Sequence, residues 1–215
     1  MTDRRPYRRE SEERRRDDLI SAALHLVSEG GPQAATVRAI AQRAGVTSGL
    51  IRHYFSSKEE LTRAAYQRLM DRMTADSAIV LEGGPDDPIA RLAWFVAASI
   101  SPPVVDPVAV GLWAGFLHGV QRDTAMRDVH IATYLGFRDV LQSLIEALPR
   151  AVPSTQLRSD AIACNAIIDG LWLEGSVLPE AFATDEIVNI GLASVGAILK
   201  IDLMAAMTAT TRATP

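Results

Sequence analysis

The segment from Thr36 to Phe55 constrains this chain most, because it reads as two short helices joined by a turn of three residues. Thr36 is placed to cap the first helix, whose buried face is Val37, Ile40 and Ala41. Ala44-Gly45-Val46 makes the turn, with Gly45 free to adopt positive φ. Thr47 is expected to cap the second helix by accepting from its orphan N–H groups. Ile51 and Phe55, four residues apart, face inward, which turns Thr47, Ser48, Gly49, Arg52 and His53 onto an outer face able to enter a DNA major groove. An ordinary helical hairpin shares this pattern, so the residues that follow decide between the two.

Ser57 and Glu60 fit the capping box that opens another helix. Lys58 then sits in its first turn, where a phosphate accepts from both the ammonium and free backbone N–H groups. The block from about Leu19 to Tyr66 resembles the DNA-binding domain of the TetR family of bacterial transcriptional regulators. The resemblance is carried by Thr36-Val37-Arg38-Ala39-Ile40-Ala41, Ala44-Gly45-Val46-Thr47 and His53-Tyr54-Phe55, followed by Lys58-Glu59-Glu60-Leu61. It implies a homodimer that binds double-stranded operator DNA, with Thr36, Thr47, His53, Tyr54 and Lys58 at phosphates. Ser48, Gly49 and Arg52 are left to read base edges, Arg52 being suited to guanine O6 and N7.

The formal net charge of −4 divides unevenly. Residues 1–72 hold 14 basic and 10 acidic side chains, and residues 73–215 hold 8 and 16, so the hairpin lies in the basic part. Phosphate neutralisation needs local positive charge and not a basic whole protein. At 215 residues and 48% hydrophobic, the chain can bury a core without staples. Its single cysteine, Cys164, excludes an internal disulfide and reads as a small core residue of a cytoplasmic protein. No apolar stretch follows the N-terminal arginines, so no secretory signal is expected. The apolar run Ile187–Met207 is interrupted by Asn189, Lys200 and Asp202 and suits a buried or interface helix better than a membrane span.

The periodicity predicts an all-α chain of about nine helices. Residues 1–10 form a flexible basic arm whose Arg4, Arg5, Arg8 and Arg9 either follow DNA or are simply solvated. Residues 11–57 form a three-helix helix-turn-helix DNA-binding domain, 58–82 a connecting helix, 83–207 a ligand-binding and dimerisation domain, and 208–215 a flexible tail. Within 83–207 the helices are expected at 89–100, 108–119, 124–148, 156–178 and 184–207.

In that second domain, Ile167-Ile168-Asp169-Gly170-Leu171-Trp172-Leu173 resembles the subgroup typified by the choline-responsive BetI regulators, and Leu50-Ile51-Arg52-His53-Tyr54-Phe55 is also similar to theirs. Arg52 departs from it, standing where the subgroup commonly has a small polar residue. The family implies that the last two long helices pair with their partner-chain copies. Ala161, Gly175, Gly191, Ser194 and Gly196 are small enough for that seam, with Ile168, Ile187, Ile190, Ile198 and Ile201 supplying apolar area. The same faces also suit an internal core. A small-molecule effector is expected among Trp113, Phe116, Tyr134, Phe137, Asn165, Asp169 and Trp172, an aromatic set with one carboxylate that suits an organic cation. Trp94 and Phe95 lie in a helix expected to face these, and His118 is a further candidate polar anchor.

His25, His53, His118 and His130 show no pairing around a glutamate, and no cysteine cluster exists, so neither zinc-site pattern is present. Leu192-Ala193-Ser194-Val195-Gly196 lacks the first glycine of a nucleophile elbow and lies inside a helix. No glycine-rich phosphate loop occurs either. The expectation is a ligand-responsive repressor with no catalytic or metal residues and no cofactor, the alternatives being an activator or a DNA-binding architectural protein that senses nothing.

Overall fold

The computed structural model describes residues 5–82 and 84–213, with side chains described for residues 12–73 and 84–209. Arg4 and the side chains of Arg5, Arg8 and Arg9 lie outside the described residues. Ten α-helices make up the described fold: α1 (Arg5–Gly30), α2 (Val37–Arg43), α3 (Ser48–Tyr54), α4 (Lys58–Glu82), α5 (Pro88–Ser99), α6 (Pro107–Val120), α7 (Thr124–Glu146), α8 (Ser154–Val177), α9 (Glu186–Leu199) and α10 (Leu203–Ala213). A short 3-10 turn, Pro179–Ala181, lies between α8 and α9. Among the described residues, no helix is long and apolar enough to cross a membrane. The described chain falls into two compact units: the residues up to Met70 with Gly111–His130, and Asp71–Val110 with the residues from Ile131 onward.

The first unit buries one stripe from each of its helices. Leu19, Ile20, Ala23 and Val27 of α1 meet Ile40 and Ala41 of α2, Ile51 of α3, Phe55, and Leu61, Ala65, Tyr66 and Leu69 of α4 in its core. Gly115 of α6 lies where a Cβ would stand 3.5 Å from Val27 Cγ1, so α6 comes close to α1. Phe116 packs on the Tyr66 ring with centroids 5.4 Å apart. The Tyr66 hydroxyl is in turn hydrogen-bonded to His130 Nδ1 at 2.8 Å. Burial pushes Tyr66 up to about 12 and pushes His130 below its ordinary value, so both stay neutral at pH 7 and the bond joins two uncharged groups.

The second unit is organised around α5, whose Leu92, Ala93, Phe95 and Val96 are fully enclosed by the other helices. Asp87 caps α5 by accepting from Ile89 N at 3.1 Å and Ala90 N at 2.9 Å, with Pro88 in the first turn where its missing N–H costs nothing. Cys164 of α8 is fully buried in this core, and burial pushes its thiol up to about 12. Between α7 and α8, Arg150 pairs with Asp160 and donates to the Leu199 carbonyl at 3.3 Å. Gln156 donates to the other Asp160 oxygen at 2.7 Å. Burial works against the Asp160 charge, but these donors hold its carboxyl below the ordinary range.

Three helix boundaries differ from the sequence expectation. Helix α1 begins at Arg5 where the periodicity put its start near Ser11, because the polar residues ahead of the apolar stripe continue the helix without contributing to that stripe. Helix α10 likewise runs to Ala213, through most of the stretch expected as a loose tail. The single last helix expected over 184–207 is two, broken at Lys200, which adopts the left-handed conformation (φ 58°, ψ 42°). Ile201 N bonds back to Gly196 O at 3.0 Å, and Asp202 opens α10 by accepting from Ala205 N at 2.9 Å. Apolar spacing continues through the break, which hides it from periodicity.

Four of the five small residues expected at a dimer seam serve this internal packing, and the fifth, Ser194, is half-buried. Ala161 is fully buried, and a Cβ at Gly175 would stand 2.6 Å from Ile187 Cδ1, at Gly191 2.3 Å from Ile100 Cδ1, and at Gly196 2.6 Å from the Ile201 carbonyl oxygen. Gly136, inside α7, meets nothing within 4 Å. Opposite outcomes are therefore expected for two like substitutions in urea unfolding at fixed protein concentration. Gly136→Ala raises stability by about 0.4–1 kcal/mol by restricting the unfolded chain, whereas Gly196→Ala lowers it by about 1–3 kcal/mol because the obstructing atom is backbone.

Candidate DNA-binding surface and effector site

Thr36 caps α2 as its position requires, its hydroxyl accepting from Ala39 N at 3.1 Å. The chain leaves α2 through Gly45, at φ +66°, and Val46 N returns to Ala41 O at 2.9 Å. Thr47 sits at the N-cap of α3, and its carbonyl accepts from Leu50 N at 3.0 Å. Its hydroxyl, however, makes no cap bond. The expected side-chain cap is thus absent, and a Cβ at Gly49 would stand 3.8 Å from the Thr47 hydroxyl oxygen.

Helix α3 divides as its sequence dictates. Ile51 and the following Phe55 are buried, while Thr47, Ser48, Gly49, Arg52 and His53 are exposed; Tyr54 and Lys58 are half-buried and Thr36 is exposed. The His53 and Tyr54 rings meet edge to face, 5.1 Å between centroids. At the start of α4, Ser57 Oγ accepts from Glu60 N at 3.1 Å, and the Glu60 carboxylate accepts from Ser56 N and Ser56 Oγ, each at 2.7 Å. The reciprocal arm of the capping box therefore reaches one residue further back than expected.

Arg16 was not among the residues singled out in the sequence, yet it holds the end of α3. Its guanidinium lies 4.4 Å from the centroid of the Phe55 ring and donates to the Tyr54 carbonyl at 3.3 Å. A cation at a helix C-terminus satisfies an orphan carbonyl and complements the helix dipole. The signal was readable: Arg16 precedes Leu19, Ile20 and Ala23 on the same stripe of α1. Arg43 ties α2 to α1 by bonding both carboxylate oxygens of Glu29, at 2.9 and 2.5 Å.

Of the seven residues expected around an effector, Trp113 and Phe116 lie on α6 in the first unit, where Phe116 is core. In the second unit, Phe137 stacks on Phe95 with centroids 5.2 Å apart, and the Trp172 indole donates to the Val104 carbonyl at 2.9 Å. Tyr134, Asn165 and Asp169 do form one cluster. The Tyr134 hydroxyl donates to Asp169 Oδ2 at 2.5 Å, and Asn165 Nδ2 donates to Asp169 Oδ2 at 2.7 Å and to Tyr134 Oη at 3.0 Å. Burial pushes the Asp169 carboxyl above the ordinary aspartate range, against the pull of its two hydrogen bonds.

A third surface lies on α8 and α9. Ile162, Ala166, Gly170, Leu173 and Val177 recur at helical spacing on α8 and are all exposed, as are Ile190, Ala193 and Ala197 on α9. A Cβ at Gly170 would meet nothing within 4 Å. Single exposed apolar residues are ordinary, but an aligned stripe of this kind marks a surface built to be covered.

A helix-turn-helix unit joined to a second helical unit is the architecture of a DNA-binding regulator. The profile of bacterial regulatory proteins of the TetR family matches residues 19–65, and that of the BetI-type transcriptional repressor C-terminal domain matches residues 88–200. The chain belongs to the TetR family, with a C-terminal region of the BetI repressor type. It is 30% identical over 171 residues to the HTH-type transcriptional regulator BetI of Burkholderia thailandensis, covering 79% of this chain and 86% of that protein. The BetI regulator of Paraburkholderia phytofirmans is 27% identical over 176 residues, covering 82% and 89%. A transcriptional regulator from Pseudomonas aeruginosa PAO1, solved by crystallography, superposes with a TM-score of 0.79 at 30% identity, covering 90% of this chain and 94% of that one. NalD, the secondary repressor of the MexAB-OprM multidrug efflux pump in Pseudomonas aeruginosa, shares the fold at a TM-score of 0.63 and 20% identity, over 86% and 96%.

The two threonines at helix starts are expected to behave differently. Thr36→Ala removes a made cap and lowers stability by about 0.5–2 kcal/mol, while Thr47→Ala, which removes no cap bond, stays within about 0.5 kcal/mol of the parent. Chemical denaturation of the two variants side by side is the measurement.

Proposed function

We propose that this protein is a homodimeric repressor that binds a roughly palindromic operator through α3 and leaves it when a small effector occupies the second unit. It works in the cytoplasm, where operator DNA is found. The observation that carries the reading is the division of α3, with Ile51 and Phe55 anchored inside and Ser48, Gly49 and Arg52 presented outward. Arg52 reads a guanine edge, and Thr36, Thr47, His53, Tyr54 and Lys58 meet phosphates on either side. The free hydroxyl of Thr47 supports its place on that list.

Dimerisation falls to the exposed stripe of α8 and α9, since two recognition helices must be held about 34–36 Å or somewhat more apart to reach successive major grooves. The effector occupies the neighbourhood of Tyr134, Asn165 and Asp169, with Phe137 and Trp172, three residues further along α7 and α8, as its walls. Release requires that the effector bind the DNA-incompetent form more tightly, a coupling that is typically about 1–3 kcal/mol.

Operator binding across a library of sites, measured at several salt concentrations, tests the DNA reading. Arg52→Ala is expected to cost about 1–3 kcal/mol on the preferred operator and to relax preference at one base pair. Lys58→Ala weakens all sequences alike and lowers the salt slope by about one. Uniform behaviour of Arg52→Ala on every sequence would remove it from base reading.

The dimer is tested at Gly170, an exposed position where a longer side chain leaves the fold of the protomer intact. Gly170→Glu is expected to sediment as a folded monomer with poor operator affinity, because pairing would bury an unmatched carboxylate. A dimer that survives this change places the interface elsewhere.

A further inference from the structure

The hydrogen bonds of the Tyr134–Asn165–Asp169 cluster fix the orientation of the Asn165 carboxamide. Only its nitrogen can donate to Asp169 Oδ2, which the Tyr134 hydroxyl also approaches as a donor. The amide oxygen therefore faces away from those bonds. Asn165 is 3% exposed, and its Oδ1 is buried with no hydrogen-bond partner. A buried acceptor without a donor is a standing cost that native structures seldom carry without a reason. Asp169 presents the complementary problem. Its carboxylate is partly withdrawn from water, and the two donors that bond it, a phenol and an amide, are neutral.

Phe137 is stacked on Phe95 and the Trp172 indole N–H is given to the Val104 carbonyl, so neither side chain supplies a donor to Asn165 Oδ1. A quaternary ammonium would bring charge but no donor, and a neutral alcohol a donor but no charge. A head group with both answers Asp169 and Asn165 together.

Resting on the effector reading above, we propose that the cluster binds the head group of an organic cation carrying at least two N–H donors, a protonated primary amine or a guanidinium. One N–H meets the Asp169 carboxylate and another meets Asn165 Oδ1, which a single carbon separates from the amide nitrogen already at that carboxylate. The ligand takes the place of the Tyr134 hydroxyl on Asp169. Because Tyr134 lies on α7 and Asp169 on α8, that exchange breaks a tie between two helices of the second unit and gives the ligand a distinct conformation to favour.

The test is calorimetry on the full-length protein with two series, ethanolamine through its N-methylated forms to choline and butylamine through its N-methylated forms to butyltrimethylammonium, with operator release followed by fluorescence anisotropy. Affinity is expected to fall along each series, by about tenfold or more from the primary amine to the quaternary salt, as hydrogen bonds to a charged group are lost. Asp169→Asn abolishes the heat. Tyr134→Phe, which removes the competing hydroxyl, strengthens primary-amine binding several-fold. A quaternary salt that binds as tightly as its primary amine, an absence of heat from every member, or weaker binding by Tyr134→Phe would each overturn the inference. Amine binding without operator release would instead overturn the effector reading and leave the head-group site standing.

Discussion

Helix α3 is seven residues long, and a helix of that length has no stability of its own in water. Its persistence as a rigid element depends on the burial of Ile51 and Phe55 in the core of the first unit, with Arg16 fastening its last carbonyl from α1. Burying two such side chains contributes roughly 3–6 kcal/mol, whereas the exposed Arg16 contacts contribute less and serve mainly to set the direction in which the helix ends. The outward residues Thr47, Ser48, Gly49, Arg52 and His53 can be varied without disturbing that anchor.

The second unit meets a different constraint, the close approach of helices around α5. Gly175, Gly191 and Gly196 lie where the tips of Ile187 and Ile100 and the Ile201 carbonyl leave no room for a β-carbon. Those inward positions therefore need glycine, while large side chains such as Ile168, Leu192 and Val195 fill the core around them and a separate apolar stripe stays exposed on α8 and α9. The polar exceptions inside are accounted for unevenly. Asp160 is matched by Arg150 and Gln156, while Asn165 keeps an oxygen without a donor.

Much of this organisation was legible because it is local. The caps at Thr36 and Ser57, the positive φ of Gly45, and the α4 span from Lys58 to Glu82 depend on residues within a few positions of each other. The break at Lys200 was not legible, since it is a backbone conformation unusual for a residue with a side chain and the apolar rhythm runs through it. Nor could periodicity distribute the aromatic residues: Phe116 and Phe137 both lie on apolar helix faces, yet one packs against Tyr66 and the other against Phe95. The seam glycines misled for a related reason. Smallness marks close approach but does not say whether the approaching helix belongs to the same chain.

The burial of Cys164 has a consequence for how this protein can be observed. The reactive form of cysteine is the thiolate, and a thiol pushed up to about 12 and enclosed in the core holds almost none of it at neutral pH. Alkylating reagents must wait for the core to open. With no other cysteine in the chain, the rate at which a thiol reagent consumes Cys164 becomes a clock for opening of the second unit, read without adding any label.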